Sequence, residues 1–271
     1  MFSKDNLIQK ASQIRLETFE MVMNAKCGHM GGSFSSLEVL VYLYYSGLLN
    51  HQPKNSNWPE RDRFILSKGH ANNSLYVVLA DLGYFPKEEL NRFCQNGTFL
   101  GNHSDKIVPG VEVSTGSLGH GLGLAAGISL GAKLSGDKFN TFVMLGDGES
   151  QEGSIWEAAM FAAQHKLKNL IAILDRNRLG SEDFTENTSG LDSVEEKWIA
   201  FGWETCSVNG HSFDEIHSGF EQLMNSDQSK PKILIANTIK GKGLPNHENQ
   251  PRAHHTLPKG DEIEAARRSL T

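Results

Sequence analysis

The stretches TFVMLGDG at residues 141–148 and LIAILDRN at residues 170–177 decide the fold of this chain. Each opens with a continuous apolar run, which predicts a strand buried on both faces, as in a parallel sheet. Residues 154–165 between them have the pattern of a helix and make a right-handed crossover. Further alternating strand and helix patterns predict an α/β fold, a doubly wound and mainly parallel sheet flanked by helices, in one domain over residues 1–271.

An oxygen-bearing side chain follows each of these two strands. Asp147, between Gly146 and Gly148, ends the first, and Asn177 ends the second. The carboxyl ends of neighbouring parallel strands share one sheet edge, which is where ligands of open α/β sheets bind. With the backbone carbonyl of Leu179, these oxygens suit Mg²⁺ or Ca²⁺, and the glycines let the backbone approach a phosphate. The pattern predicts a metal–diphosphate site, although a plain strand-ending turn with a loop-capping Asn177 explains the same residues.

Charge and composition exclude several classes of protein. The 271 residues carry a formal charge of −6, which gives no electrostatic case for nucleic acid or an anionic membrane. No apolar run approaches the roughly 20 residues of a transmembrane helix, and residues 1–10 lack the apolar core of a secretion signal. Cys27, Cys94 and Cys206 are far apart and odd in number, so neither a disulfide framework nor a cysteine metal site is expected. We therefore expect a cytoplasmic protein without nucleic-acid or membrane partners.

Histidines in tight, mostly glycine-rich turns recur along the chain. Four such turns are predicted, at residues 28–31, 67–70, 101–103 and 253–255. Neutral histidines hydrogen-bond sugar hydroxyls and diphosphate oxygens, and they move protons near pH 7. One such histidine is ordinary in a loop, but four of them beside a candidate diphosphate site indicate a shared function.

In order and spacing together, the motifs of the chain resemble those of the thiamine-diphosphate-dependent transketolases. The resemblance to their N-terminal, diphosphate-binding half runs from Leu7 to about Leu257. It rests on Asn177 and on five motifs, which are GHMG at 28–31, DRFILSKGH at 62–70, STGSLG at 114–119, GDGESQEG at 146–153 and KGKG at 240–243. The resemblance implies the thiamine diphosphate-binding fold, with thiamine diphosphate as the cofactor and Mg²⁺, Ca²⁺ or Mn²⁺ as its metal ion.

The resemblance assigns residues to the cofactor. The metal ligands would be Asp147, Asn177 and the backbone carbonyl of Leu179. The residues that contact the cofactor would be His70, Gly116, Ser117, Leu118, Gly146, Gly148, Glu149, Asn177 and His254. Within this set, Leu118 would lie against the cofactor near its rings, while the diphosphate would meet glycines and histidines.

The resemblance also assigns residues to catalysis. His29 and His103 would face the reacting sugar carbons, and His254 would act beside them. Glu152 would lie at the subunit interface and link to a glutamate of the partner. Because the motif reads Ala-His-His where split forms of the family tend to have Trp-His-Gly, His254 and His255 are both candidates for the functional histidine.

The family's pyrimidine-binding domain would begin where this sequence ends, so the resemblance implies a split transketolase. This chain would be the N-terminal subunit and inactive alone. A C-terminal transketolase subunit, with the pyrimidine-binding and C-terminal domains, would complete an α2β2 assembly. Together they would transfer a two-carbon ketol unit from a ketose, often a phosphate, to an aldose. The cofactor carries this chemistry, while the protein supplies position, charge and proton transfer.

Other interpretations compete with this one. GLGLAA at residues 121–126 fits a dinucleotide-binding pattern of nicotinamide dehydrogenases, but it lies inside a helix predicted over residues 116–134 and follows no convincing strand. A non-catalytic cofactor-binding subunit would carry the same site residues. Subunits related to deoxyxylulose-phosphate synthases or to two-oxoacid dehydrogenases share this half as well, and the latter differ around the histidine segments.

Overall fold

The computed structural model describes residues 3–227 and 229–270. Within them, parallel strands form a five-stranded sheet with the order β1-β2-β3-β5-β4. The strands are β1 (Arg63–Leu66), β2 (Thr141–Gly146), β3 (Leu170–Arg176), β4 (Glu204–Asn209) and β5 (Lys232–Asn237). This arrangement confirms the predicted parallel, doubly wound α/β sheet.

Helices occupy the connections between the strands and cover both faces of the sheet. The α-helices are α1 (Lys4–Ala25), α2 (Met30–Ser35), α3 (Leu37–Tyr45), α4 (Asn72–Leu82), α5 (Gly121–Ser135), α6 (Gly153–Gln164), α7 (Thr185–Thr188), α8 (Val194–Ala200), α9 (Phe213–Asn225) and α10 (Asp261–Leu270). Short 3-10 helices lie at Pro53–Asn55, Gly69–Ala71, Lys87–Arg92, Glu149–Gln151 and Pro251–His254. Among the helices of the described residues, none combines the length and apolar character that crossing a membrane requires.

Separate hydrophobic cores cover the two faces of the sheet. Phe142 and Met144 of β2 belong to the core built with α1, α3, α4 and α9, while Val143 and Leu145 belong to the core built with α5, α6 and α8. Every residue of β2 and β3 is buried, because alternate side chains point to opposite faces and helices cover both. The continuous apolar runs of these strands therefore follow from burial on both sides.

Strand register places the carboxyl ends of the inner strands side by side. Gly146, the last residue of β2, pairs with Asp175 of β3, and Arg176, the last residue of β3, pairs with Asn237 of β5. The end of β1 pairs with β2 in the same direction. The segments that follow β1, β2, β3 and β5 consequently meet at one edge of the sheet, where the predicted site residues lie.

Two predicted elements differ from the structure at glycines. The helix expected from residue 116 begins instead at Gly121, because Gly116 and Gly119 have φ angles of +147° and +86°, which a helix does not allow. The turn expected at residues 28–31 already contains the first residues of α2. GLGLAA lies within α5 rather than after a strand, which agrees with its interpretation as a helical segment.

Candidate active site

A cavity of about 490 Å³ opens at the carboxyl edge of the sheet. The predicted site residues that line it are His29, His70, His103, Gly116, Leu118, Gly146, Asp147, Gly148, Glu149, Asn177, Leu179 and His254. Ser117 and Glu152 are exposed and are not among the lining residues. The fold thus brings together most of the predicted residues from segments spread along nearly the whole chain.

The cavity also has lining residues that were not assigned from the sequence. They are Gly32, Lys68, Gln151, Gly180, Ser181, Lys240 and His255. Lys68 and Lys240 both stand in the motifs SKGH and KGKG, next to a glycine and just after a strand. A lysine in that position was the available signal, because the segment after a parallel strand faces the ligand edge of the sheet.

The predicted oxygen donors come from two adjacent turns. Asp147 is 1% exposed, and its carboxylate accepts hydrogen bonds from the backbone N–H groups of Gly148, at 2.7 Å, and of Arg178. The side-chain oxygen of Asn177 accepts from the Leu179 N–H at 3.1 Å. A Cβ atom at Gly148 would lie 4.0 Å from the Leu179 carbonyl oxygen and 3.3 Å from the following Cα. The two turns are therefore packed against each other, with the donor oxygens of both lining the cavity.

Asp147 carries a charge that its surroundings do not neutralise. Burial, with the neighbouring charge of Asp175, raises the pKa of Asp147 to about 6, although Arg176 opposes the rise. The Arg176 guanidinium lies 3.4 Å from Asp147 but only 2.7 Å from Glu186 and 3.0 Å from Asp192. A buried carboxylate with a weak cationic partner, next to amide and carbonyl oxygens, fits a divalent cation that prefers oxygen ligands.

Lys68 and Asp175 form a buried ion pair beside Asp147. The Lys68 ammonium lies 2.5 Å from the Asp175 carboxylate, and their side chains are 4% and 1% exposed. Burial by itself would raise the pKa of Asp175, but Lys68 and the hydroxyls of Ser35 and Thr238, at 2.6 and 2.5 Å, lower it. We call Lys68, Asp147, Asp175 and Asn177 the strand-edge region.

Glu149 fastens three turns of the site together. One carboxylate oxygen accepts hydrogen bonds from the Ser67 hydroxyl and from the Gly119 N–H at 3.0 Å, and the other accepts from the Gly146 N–H at 3.0 Å. The side chain is buried, and burial raises the pKa of Glu149. Because its oxygens are already held by the protein, Glu149 fixes the positions of the turns around the cavity.

Five histidines converge on the other side of the cavity. The ring of His29 lies 5.3 Å from His70, 5.9 Å from His103, and 5.5 Å from both His254 and His255, measured between ring centroids. His70 and His254 are 4.8 Å apart on the same measure. We call these five residues the histidine region.

The inner histidines are neutral at pH 7. Burial is the main cause, and nearby histidines and lysines add to it, lowering the pKa of His70 to about 2, of His254 to about 3 and of His29 to about 4. The Nδ1 atom of His29 is buried without a hydrogen-bond partner in the described part of the chain. A neutral imidazole both donates and accepts hydrogen bonds, so this region suits the hydroxyl and carbonyl groups of a sugar.

Close packing at Gly116 holds His103 in this region. Gly116 has a φ of +147°, and a Cβ atom there would lie 2.9 Å from the His103 ring. Any other residue would therefore be strained and would displace the ring. The predicted glycine thus acts on the site through the histidine that it accommodates.

Lys240 stands between the two regions. Burial lowers the pKa of its ammonium group to about 8, with the neighbouring Asp147 acting in the opposite direction. The ammonium donates to the carbonyl of Gly180 and, at 3.4 Å, to that of Leu179. A buried cation facing a cavity of this kind suits an anionic ligand such as a diphosphate.

The comparison with known proteins agrees with the site. Residues 7–271 match the family model described as transketolase, thiamine diphosphate binding domain. The chain belongs to the transketolase family. One of the two subunits of an apulose-4-phosphate transketolase from Phocaeicola vulgatus is 39% identical over 98% of this chain and 94% of the relative. The 6-deoxy-6-sulfo-D-fructose transketolase subunit SqwG from a Clostridium species is 43% identical over 92% of this chain and 90% of the relative.

This transketolase chain also matches part of much longer proteins. Human transketolase is 36% identical over 92% of this chain but only 40% of the human protein. A crystal structure of transketolase from Campylobacter jejuni has a TM-score of 0.93 at 33% identity, and the match covers 99% of this chain and 43% of the other. The chain corresponds to nearly the whole of relatives that are themselves named as transketolase subunits, which identifies it with the N-terminal subunit of two-subunit transketolases.

Proposed function

We propose that this chain holds thiamine diphosphate through a divalent cation and, with a C-terminal partner subunit, transfers a two-carbon ketol unit from a ketose to an aldose. The observation that carries the proposal is one cavity that joins buried oxygen donors, two lysines and five histidines. Two relatives are named for ketoses with an anionic group, a 4-phosphate in one and a 6-sulfo group in the other. We therefore propose a donor ketose whose far end carries a phosphate or a sulfonate.

The strand-edge side of the cavity is the proposed anchor of the cofactor. Asp147, Asn177 and the Leu179 carbonyl would hold the cation, for which we propose Mg²⁺ because all three offer oxygen. Lys240 and the neutral His70 would hold the diphosphate by charge and by hydrogen bonds. When bound, thiamine diphosphate supplies the carbon nucleophile and the electron sink for breaking and forming a carbon–carbon bond beside a carbonyl.

The histidine region is the proposed site of the sugar. His29 and His103 would bind the hydroxyl and carbonyl groups next to the bond that changes, and His29 has a buried nitrogen free to do so. His254 is half-buried next to His70, whereas His255 is exposed. We assign His254 to the cofactor side of the sugar and His255 to the outer rim.

The exposed faces of α5 and α6 are the proposed contact with the partner subunit. Leu124 and Leu134 on α5 are 44% and 79% exposed, and Met160 and Phe161 on α6 are 53% and 40% exposed. Apolar side chains gathered on one surface mark a protein interface. Glu152 directly precedes α6 and is exposed as well, which supports its proposed position at this interface. We propose an α2β2 assembly around these faces.

The test of activity uses the chain alone and the chain combined with the C-terminal subunit that co-purifies with it. Each sample is assayed for ketol transfer with thiamine diphosphate and Mg²⁺, against ketose phosphates, a ketose sulfonate and neutral ketoses. We expect no turnover from the chain alone and turnover from the pair with an anionic ketose. Robust turnover without a second polypeptide would contradict the two-subunit proposal, and a preference for neutral ketoses would contradict the substrate class.

The test of the interface compares two exposed apolar residues. Leu124→Arg places a charge on the proposed contact face of α5, and Ile107→Arg places one on a loop residue that is 68% exposed elsewhere. Light scattering after gel filtration should show the α2β2 mass for the second variant and separated subunits for the first. Equal assembly of both variants would show that the partner docks somewhere else.

A further inference from the structure

Cys27 and Cys94 are neighbours in space although 67 residues separate them. Their Sγ atoms lie 2.6 Å apart, both cysteines are free and both are half-buried. Cys206, the third cysteine, is buried and contacts Gln222 instead. The wide spacing along the sequence, which predicted no disulfide, conceals a pair of thiols in direct contact.

The local backbone explains why the two sulfurs meet. Cys27 directly follows the left-handed residue Lys26, with a φ of +52°, which ends α1. Cys94 itself has a φ of +58° and donates its N–H to the Leu100 carbonyl at 2.9 Å. Both cysteines therefore stand at reversals of chain direction, and each reversal is fixed by backbone hydrogen bonds rather than by the sulfurs.

The pair is also close along the chain to the histidine region. Cys27 precedes His29 by two residues, and Cys94 precedes His103 by nine. The two histidine rings are 5.9 Å apart. A bond between the sulfurs would tie together the two segments that carry these histidines.

We propose that Cys27 and Cys94 form a reversible disulfide that staples the two histidine-bearing segments together. A disulfide needs an S–S distance of about 2.05 Å, so the sulfurs move by only a fraction of an ångström and the fold stays as it is. The oxidant is a small-molecule disulfide of the glutathione class. The inference concerns a modification site outside the cavity and does not depend on the proposed function.

The order of the two exchange steps follows from the environment of Cys94. Burial, together with the neighbouring Cys27 sulfur, raises the pKa of the Cys94 thiol to about 12. Cys27 therefore attacks first, and its thiolate breaks the S–S bond of the oxidant, forms a mixed disulfide and releases one thiol. Cys94 then attacks the Cys27 sulfur and passes its proton to the departing second thiol. Two electrons pass from the protein to the oxidant, which leaves as two reduced thiols.

The consequence is a gain in stability in the oxidised chain. A cross-link over 67 residues restricts the unfolded chain much more than the folded one. We expect the melting temperature to rise by about 5 °C or more after oxidation. The rise should disappear when the bond is reduced again with dithiothreitol.

The experiment uses the purified full chain, reduced and then incubated with oxidised glutathione. After alkylation of the remaining thiols, intact mass and peptide mapping should show a Cys27–Cys94 cross-link and one alkylated residue, Cys206. Cys27→Ser and Cys94→Ser should each abolish the link, while Cys206→Ser should keep it. Circular dichroism of each variant confirms its folding, and the comparison of oxidised with re-reduced wild-type chain needs no substitution.

Three outcomes would overturn the proposal. Glutathione that stays attached to both Cys27 and Cys94 would show that the thiols react separately. A link to Cys206 or between two chains would show a different pairing. An unchanged melting temperature in protein shown by mapping to carry the Cys27–Cys94 bond would refute the staple.

Discussion

The strand-edge region and the histidine region face each other across one cavity, but they are built in opposite ways. The strand-edge groups follow neighbouring strands and are held by the protein itself, as in the Lys68–Asp175 pair at 2.5 Å. The histidines come from four distant segments, and the buried Nδ1 of His29 has no partner in the described residues. The first region is organised before any ligand arrives, whereas the second offers groups that a ligand would satisfy.

This difference shows how a rigid frame and an adaptable surface share one site. Parallel pairing fixes the strand ends to each other, so groups that follow the strands keep their spacing. Loops carry the histidines, and loops adjust their positions more readily than strands. We expect changes in the strand-edge region to lower stability and anchoring, and changes in the histidine region to act mainly on pH dependence and fine affinity.

The largest expected effect comes from breaking the buried ion pair. Lys68→Met leaves the Asp175 carboxylate buried without its cation, which lowers the free energy of unfolding by about 3–5 kcal/mol. Lys4→Met removes an ion pair whose side chains are 49% and 59% exposed, and it should change stability by no more than about 1 kcal/mol. Urea denaturation of both variants measures the contrast. Equal losses would show that the strand-edge region is not the rigid frame.

The next effect tests the cation anchor. Asp147→Ala removes the carboxylate that we place on the cation, and thiamine diphosphate should then bind more than about 100-fold more weakly in the presence of Mg²⁺. Isothermal titration calorimetry measures the affinity, and Asp214→Ala on the exposed start of α9 is the matched control. Unchanged affinity in Asp147→Ala would remove Asp147 from the proposed anchor.

The pH dependence of stability tests the histidine region. His70, His254 and His29 have folded-state pKa values of about 2, 3 and 4, below the ordinary 6.5. Between pH 6.5 and 4 the unfolded chain binds protons that the folded chain refuses, so the free energy of unfolding falls as the pH falls. Asp147, with its pKa raised to about 6, acts in the opposite direction between pH 6 and 3.8, but it is one group against three.

Urea denaturation at pH 7.5, 6.5 and 5.5 measures this slope in the ligand-free chain. His70→Gln should flatten the slope because the substituted side chain no longer binds a proton in the unfolded state. His165→Gln, at an exposed position after α6, is the control and should leave the slope as it is. Stability that rises on acidification would mean that the histidines are charged in the folded chain.

The smallest effect separates the two adjacent histidines. His254→Ala should weaken thiamine diphosphate binding about 10-fold, since it removes one hydrogen bond to a charged group. His255→Ala should change the affinity by no more than about 2-fold, because that side chain is exposed. The same calorimetric titration measures both variants. A larger loss in His255→Ala would reverse the assignment and place the outer histidine on the cofactor.

The sequence predicted the frame of the site better than its electrostatics. Asp147 and Asn177 were identified because each follows an apolar strand, and their carboxyl ends do meet at one edge of the sheet. Lys68 and Lys240 were quoted in motifs but not assigned, because a lysine after a strand looks the same whether it faces solvent or a buried carboxylate. Ser117 was predicted from its motif alone, and the positive φ angles around it turn this segment so that its side chain is exposed.

By itself, the sequence determined the layered α/β architecture and the edge of the sheet that carries the site. It could do so because continuous apolar strands require helices on both faces, and the residues that follow parallel strands share one edge. Only the tertiary structure decided which histidines meet, how far burial lowers their pKa values, and that Cys27 touches Cys94. Those outcomes depend on distances between segments far apart in the chain, and turns and packing set these distances where no local pattern of residues records them.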